Sequence, residues 1–409
     1  MNDPAGLPPA QPPGRPADPQ VSGPQQLRVT LSTIAREWSR IGVTGFGGPP
    51  AHIALLRKLC IEKRRWLRAD EFEDGIAATS LLPGPTSTQL AIFCAWRLRG
   101  WRGAVLGGVC FILPGLVIIL GLSALFLAHD APRWIQGAAA GAGAGVPAVA
   151  VSAAIGLLPA SWRRASGAKV RQARWIGYLL AGVASGAIAG QYLVLVLLAC
   201  GLIETAIQHP ELSEGHGGLL AGLPLAVAAP AAGGLSALVW VALKVGAFSF
   251  GGGFVIIPLM QHDAVISYHW MTSAQFLNAV ALGQVTPGPI VQTVAVVGYA
   301  AGGLAGGLLA SFVAFAPSFV FVLAGAPHFD RLRRSGHAQA FLTGAGACAI
   351  GGIGGVAIPL AVSVAHLWQI GITALAALWL IGWRKGVVAG LVGCGALVAV
   401  AAFAHAPLS

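Results

Sequence analysis

The chain has 409 residues, 56% of them hydrophobic and only 10% charged, with 57 glycines. That balance is too apolar and too rich in small residues for a soluble fold of this size, and it predicts a polytopic membrane protein. The net charge of +11 sits in clusters between apolar runs, where orientation in a bilayer accounts for it, so no nucleic-acid site is read from it.

Residues 1–26 are Pro-rich, lack the apolar core of a signal peptide, and read as a disordered cytoplasmic tail. The run from Leu27 to Gly45 is helix-like but carries Arg28, Arg36, Glu37 and Arg40, which a lipid-exposed span tolerates poorly. Gly45-Phe46-Gly47-Gly48-Pro49-Pro50 must break it, and a second helical run follows from Ala51 to Arg65. Asp70-Glu71-Phe72-Glu73-Asp74 supplies an acidic first turn for the next helix. Its apolar part, Gly75 to Leu82, is about half of the ~20 residues a span needs. Pro83-Gly84-Pro85 stops it, and Thr86 to Arg97 resumes a helix. Basic residues flank both ends, from Arg57 to Arg68 and from Arg97 to Arg102, so the element is expected to be a re-entrant hairpin entering from the cytoplasm.

Full spans are expected over Gly103–Leu127, Trp134–Leu158, Trp175–Gly190, Gln191–Ile207 and Gly218–Ala232. Then the opening pattern returns. Phe250-Gly251-Gly252-Gly253 and Thr286-Pro287-Gly288-Pro289-Ile290 repeat the first break and the first tip at an offset of 204, and the same unbroken offset pairs Gly42 with Gly246, Trp66 with Trp270 and Gly103 with Gly307. Later spans are expected over Gly307–Ala326, Phe341–Val364, Leu367–Ile381 and Gly386–Phe403. The second hairpin's flanks lack the Lys and Arg of the first, and five crossings separate the copies, so the second copy is turned over. The expected fold is an all-α polytopic membrane protein of two inverted-topology repeats with broken, re-entrant helices. Its parts are the tail, a first repeat over 27–207, a linker with an extra span over 208–233, and a second repeat over 234–409. Such repeats belong mainly to secondary transporters, whose sites lie where broken helices meet.

Four helix starts, near Pro50, Thr86, Gly253 and Ile290, would turn free N–H groups toward such a site and favour an anion. Thr86, Ser87, Thr88 and Gln89 at one tip, and Thr286, Gln292 and Thr293 at the other, suit an oxyanion and bind a metal cation poorly. Arg40 and Lys244 share one position in the two copies. Lys244 stands almost alone in an apolar run, and an occupant bringing negative charge would balance it; snorkelling or pairing with an acid is the bland alternative.

Phe46-Gly47-Gly48-Pro49 with His52-Ile53-Ala54-Leu55-Leu56-Arg57, Leu81-Leu82-Pro83-Gly84-Pro85-Thr86 with Gln89-Leu90, and Phe111-Ile112-Leu113-Pro114-Gly115 resemble the amino-terminal domain of the chromate ion transporter family. Phe250-Gly251-Gly252-Gly253 with Thr286-Pro287-Gly288-Pro289 is similar to its carboxy-terminal domain. The resemblance covers nearly everything after the tail. It implies a long-chain, two-domain member that exports chromate by the proton gradient and confers chromate resistance, with near-isosteric sulfate as competitor or alternative substrate. Ile290 departs from Thr86 in lacking a hydroxyl.

His52 can donate to an anion, carry a coupling proton or simply pack. His262-Asp263 reads as a loop pair, Glu204 as interfacial, and the Gly137 to Gly145 run as a close-packing surface. Trp96, Trp101, Trp162, Trp175 and Trp383 read as interface anchors, and the six cysteines as packing residues. The reading is therefore an inner-membrane, multi-pass secondary transporter exporting chromate, with a cytoplasmic N-terminus and alternating access around a midplane site. Its partners are chromate, sulfate and the lipid bilayer, with room for a homodimer; no cofactor, metal or catalytic residue is expected. Sulfate or related oxyanion uptake is the alternative. A membrane-bound enzyme is disfavoured, because no nucleophile-base set or cofactor fingerprint is present.

Overall fold

A computed structural model describes residues 29–128, 132–188, 190–209, 234–249, 254–329, 334–364 and 366–404. Among these residues helices are the only regular secondary structure, and four of them are long and apolar enough to cross a membrane. The protein is an all-α polytopic membrane protein. The expected span Gly218–Ala232 lies outside the described residues.

The first half opens with α1 (Leu31–Thr44), α2 (Pro49–Arg57) extended by a π-helical turn (Lys58–Lys63), and α3 (Ala69–Leu81). Beyond Pro83-Gly84-Pro85 comes α4 (Thr86–Phe126), 41 residues broken by non-helical backbone at Arg99 and Gly100. The second arm of the hairpin and the first full span thus join at a sharp break, beyond which Gly103 and Gly108 pack back against Ala95 and Ile92. Then follow α5 (Arg133–Ala144), α6 (Val146–Ala165), α7 (Lys169–Ile188) and α8 (Leu193–Gln208). The second half repeats the succession: α9 (Leu235–Phe248), α10 (Ile256–Gln261) with its π-helical turn (His262–Ser267), α11 (Ser273–Val285), and α12 (Thr293–Gly325) with its kink at Gly302 and Gly303. It closes with α13 (Gly336–Val362), α14 (Leu367–Ala377) and α15 (Val387–Phe403).

The repeat extends to backbone detail. Two residues after each of these π-helical turns stands a non-glycine residue with left-handed backbone, Arg65 at φ 52° and His269 at φ 51°. That conformation costs roughly 1–2 kcal/mol. It is held by bonds that close the wide turn, Trp66 N to Cys60 O at 2.7 Å and Trp270 N to Ala264 O at 2.8 Å.

The offset is not unbroken, however. It is 204 through the tips but 203 at the kinks, where Gly100 and Gly303 share φ near 60°. An added Cβ on Gly103 would strike the Ala95 carbonyl, and one on Gly306 the Gly298 carbonyl. Gly103 therefore corresponds to Gly306 rather than Gly307, Gln89 to Gln292, and Pro114 to Pro317. The missing residue is absorbed at Ile290–Gln292, a 3-10 turn. Three residues rising ~2.0 Å each cover the length of four α-helical residues rising ~1.5 Å.

Close packing joins the elements. A Cβ on Gly42 would lie 2.6 Å from the Phe111 carbonyl, and one on Gly246 would collide with that of Ala314, so α1 and α9 each lie tight on the long helix of their own half. The later helices cross over: α13 lies along α7 and α8, and α15 along α5, so the halves interlock. The Gly137 to Gly145 run does serve as a close-packing surface, with Gly137 and Gly141 against the Val398 and Cys394 carbonyls of α15.

One ion pair in each half, its carboxylate buried, ties the opening helix to the π-helical turn or the residue that caps it, with the charges reversed. In the first half Glu37 of α1 accepts from Arg64 at 2.7 Å; in the second, Lys244 of α9 donates to Asp263 at 2.6 Å. Asp263 is thus a buried helical partner rather than half of a loop pair. Glu204 is also buried, receiving Arg174 at 2.8 and 2.9 Å, Tyr178 at 3.0 Å and Gln208 at 2.6 Å. Trp175 is no lipid anchor: it is buried and donates to Ser161 at 2.9 Å.

Candidate functional site

The breaks lead to one place. A cavity of about 560 Å³ opens between the halves, lined by Gly47, Pro49 and Pro50 from the first break, Thr86 from the first tip, Ile290 from the second tip, and Phe254 just after the second break. The α6 face from Ser152 to Arg164 and the α13 face from Leu342 to Ile353 complete the wall with Val387. Arg164 and Val387 stand at helix ends beside basic segments, residues 163–174 and 384–385.

Among the described residues, Arg164 is the one charged side chain in that lining. The polar remainder is Ser80, Ser152, Thr86 and Gln284. Ser80 and Gln284 are equivalent, each three residues before its Pro-Gly-Pro. The Ser80 hydroxyl donates to Ile76 O at 2.7 Å, whereas the Gln284 amide nitrogen is buried with no partner among the described residues. An unpaired buried donor costs about 1–3 kcal/mol, and a ligand oxygen would offset it.

The helix starts differ in what they offer. No side chain caps α2 or α4. At α2, Pro49 and Pro50 have no N–H, so Ala51 holds the one orphan donor before His52 N bonds Gly48 O at 3.2 Å. The start of α4 is richer: its first intrahelical donor is Gln89, to Pro85 O at 3.0 Å, which leaves Thr86, Ser87 and Thr88 ahead of it. Ile290 opens only a 3-10 turn.

Of the residues expected at the site, Gly47 and Thr86 line the cavity. Gly48 lies behind it; an added Cβ there would be 3.2 Å from Ile290 Cδ1. Gly84 and Gly288 turn the tips with φ of 118° and 102°, and Pro85 and Pro289 cap the helices that follow. Pro83 accepts from Gln89 Nε2 at 2.6 Å. Pro287 packs its carbonyl against Gly115. Thr286 bonds Leu282 O at 2.8 Å and Gln292 bonds Ile112 O at 2.7 Å, so these groups brace the tips. Phe46 and Arg40 are exposed. Lys244 is not the unneutralised cation expected from its apolar run, because Asp263 balances it. Phe250, Gly251, Gly252 and Gly253 lie outside the described residues.

His52 is fully buried where three elements meet. Its Nε2 donates to Gly45 O at 2.9 Å, its Nδ1 faces Ser87 Oγ at 3.2 Å, and its ring meets the edge of Phe111 at 5.0 Å. The backbone N–H of Gly288 donates to the same Gly45 oxygen at 3.0 Å, which ties the second tip to the first break.

The sequence reading missed Arg164, taken as one charge in a basic loop, and Gln284. A polar residue three before each Pro-Gly-Pro in an apolar run was the available signal.

The profile of the Chromate transporter family matches residues 32–205 and 236–402. The chain is 33% identical to the chromate transport protein of Cupriavidus metallidurans over 81% of its own length and 83% of that protein. It is 28% identical to the probable chromate transport protein of Synechococcus elongatus, covering 86% and 91%, and 31% identical to the chromate transport protein of Pseudomonas aeruginosa, covering 79% of each. No solved structure matches. Matched through both halves, on either side of the cavity they enclose, the chain belongs to the chromate transporter family.

Proposed function

We propose that this protein exports chromate across the inner membrane as a secondary transporter driven by the proton gradient, and so confers chromate resistance. The observation that carries the reading is the convergence of the breaks on one cavity whose lining, among the described residues, holds a single, cationic charge. The Arg164 guanidinium, the Gln284 amide and the Thr86 hydroxyl are donors that suit a tetrahedral oxyanion. The names of the relatives supply chromate as that oxyanion.

In this reading the repeats over 27–207 and 234–409 lie in opposite orientations, with 208–233 linking them and the N-terminus in the cytoplasm. The cavity then faces the cytoplasm, because its lining residues Arg164 and Val387 stand beside basic segments at helix ends. Rocking of the halves about the tips would close this mouth and open the other side.

Everted membrane vesicles test it. They should accumulate labelled chromate when a proton gradient is imposed, and unlabelled sulfate added outside should compete if the site reads only charge and shape. Vesicles that fail to accumulate chromate under any gradient would refute export; chromate consumed without accumulation would point to an enzyme instead.

A further inference from the structure

We propose that the cavity holds two separate oxyanion stations, an outer one at Arg164 and an inner one between Gln284 and the start of α4, which chromate occupies in turn. This rests on the transport reading above and deepens it.

The donors of the lining stand at opposite ends of one wall. Ser152 and Arg164 both line the cavity on α6, and their separation of twelve residues is about 18 Å along a helix that rises ~1.5 Å per residue. An arginine side chain falls well short of that distance, even leaning back toward the N-terminal end of its helix.

Gln284 belongs to the Ser152 end. Helix α11 leans on α5 where a Cβ on Gly143 would lie 2.6 Å from Asn278 Oδ1, and seven residues on, Val285 packs on the cluster that holds Ala148 and Val149 at the start of α6. The start of α4 meets the same junction. Ser87 Oγ is 3.2 Å from His52 Nδ1, His52 Nε2 donates to Gly45 O at 2.9 Å, and that oxygen accepts from Gly288 N at the second tip. A Cβ on Gly283 would meet Thr293 Oγ1 and Ile290 O, which brings Gln284 beside the same tip. The wall between the two ends has no side chain that could hold an anion: Ala153, Leu157 and Ala160 on α6, and Gly346, Ala349 and Ile350 on α13.

The two ends differ in chemistry. Arg164 is an exposed, permanently charged fork, so it draws a dianion to the mouth and releases it readily to water. The inner end is neutral and buried. Gln284 is 6% exposed and its amide nitrogen has no partner among the described residues, while the N–H groups of Thr86, Ser87 and Thr88 precede the first intrahelical donor of a long helix. Thr88 Oγ1 is likewise buried without a partner among the described residues. Donors fixed at the positive end of a helix suit an oxyanion that has shed its water. No Asp or Glu among the described residues lines the cavity to oppose it. Two dianions in one cavity repel each other, so one station empties as the other fills. Entry is therefore two steps: capture at Arg164, then transfer to the tips, where the halves meet and rocking would pass the anion on.

Anomalous X-ray scattering from chromium, collected on crystals of the full chain grown with saturating chromate, locates the anion directly. The wild type should show two peaks, one on Arg164 and one on Gln284 and Thr86, with no contact in common. R164Q should lose the outer peak alone, and Q284L the inner peak alone. The wild-type map by itself counts the stations, so the result does not hang on how either variant folds. A single wild-type peak, wherever it lies, or the loss of both peaks in either variant, would overturn the two stations while leaving transport intact. Wild-type crystals with no chromium peak at all would instead remove the transport reading and this inference with it.

Discussion

Lys244 on α9 and Asp263 in the following π-helical turn form an ion pair at 2.6 Å, with 14% and 7% of their side chains exposed. A pair this buried is neutral as a unit, and removing one partner strands the other charge. K244M should lose about 3–5 kcal/mol of stability, whereas K244M with D263L should recover most of it. Thermal melting in detergent checks both. If K244M melts like the wild type and yet loses chromate transport, the lysine serves the anion rather than the fold.

Arg164 is exposed at the cavity mouth, so its loss should cost the fold little. A charge-assisted contact to an oxyanion contributes about 1.5–3 kcal/mol. R164Q should therefore raise the KM for chromate in vesicles by about tenfold or more, with membrane protein level unchanged. R164K, keeping charge without the planar fork, should fall between the two. A KM within twofold of wild type in R164Q would exclude this residue from the substrate path.

Gln284 allows a sharper separation of stability from function. Its buried amide nitrogen has no partner among the described residues, so Q284L removes an unsatisfied donor while keeping most of the volume. The variant should be as stable as the wild type or more so, by about 1 kcal/mol, and should bind chromate more weakly. Melting temperature and binding, measured on the same preparation, should move in opposite directions; a fall in both would mark Gln284 as structural.

How much of this was legible in the sequence differs by residue. The breaks at Gly47 to Pro50 and at the two Pro-Gly-Pro tips were readable because proline removes a donor and glycine admits a positive φ, both properties of the local chain. Helix α13 and the re-entrant hairpins likewise followed from length and apolarity. The Lys244 partner was not readable: Asp263 is 19 residues away, and its approach depends on how α9 packs on the π-helical turn. Arg164 was hidden because α6 carries the basic residues beyond the apolar run as continuous helix, which turns one of them onto the cavity wall. The 204-to-203 change of offset needed the 3-10 turn at Ile290, which composition does not announce.

The proposed opposed orientation of the two repeats makes the final prediction. Lys63 and Ser267 end equivalent π-helical turns, and both are exposed. In the proposed orientation, the basic residues around the first turn and their absence around the second place the first in the cytoplasm and the second outside. The native cysteines are buried, apart from the half-buried Cys110, so a single introduced thiol should dominate labelling. K63C and S267C are suited to this because neither position has the left-handed backbone of Arg65 or His269. In intact cells a membrane-impermeant maleimide should label S267C and spare K63C, and in everted vesicles the preference should invert. Labelling of both from one side would mean that the repeats are parallel. The tips would then enter from the same face, and a cavity opening alternately to the two sides would lose its structural basis.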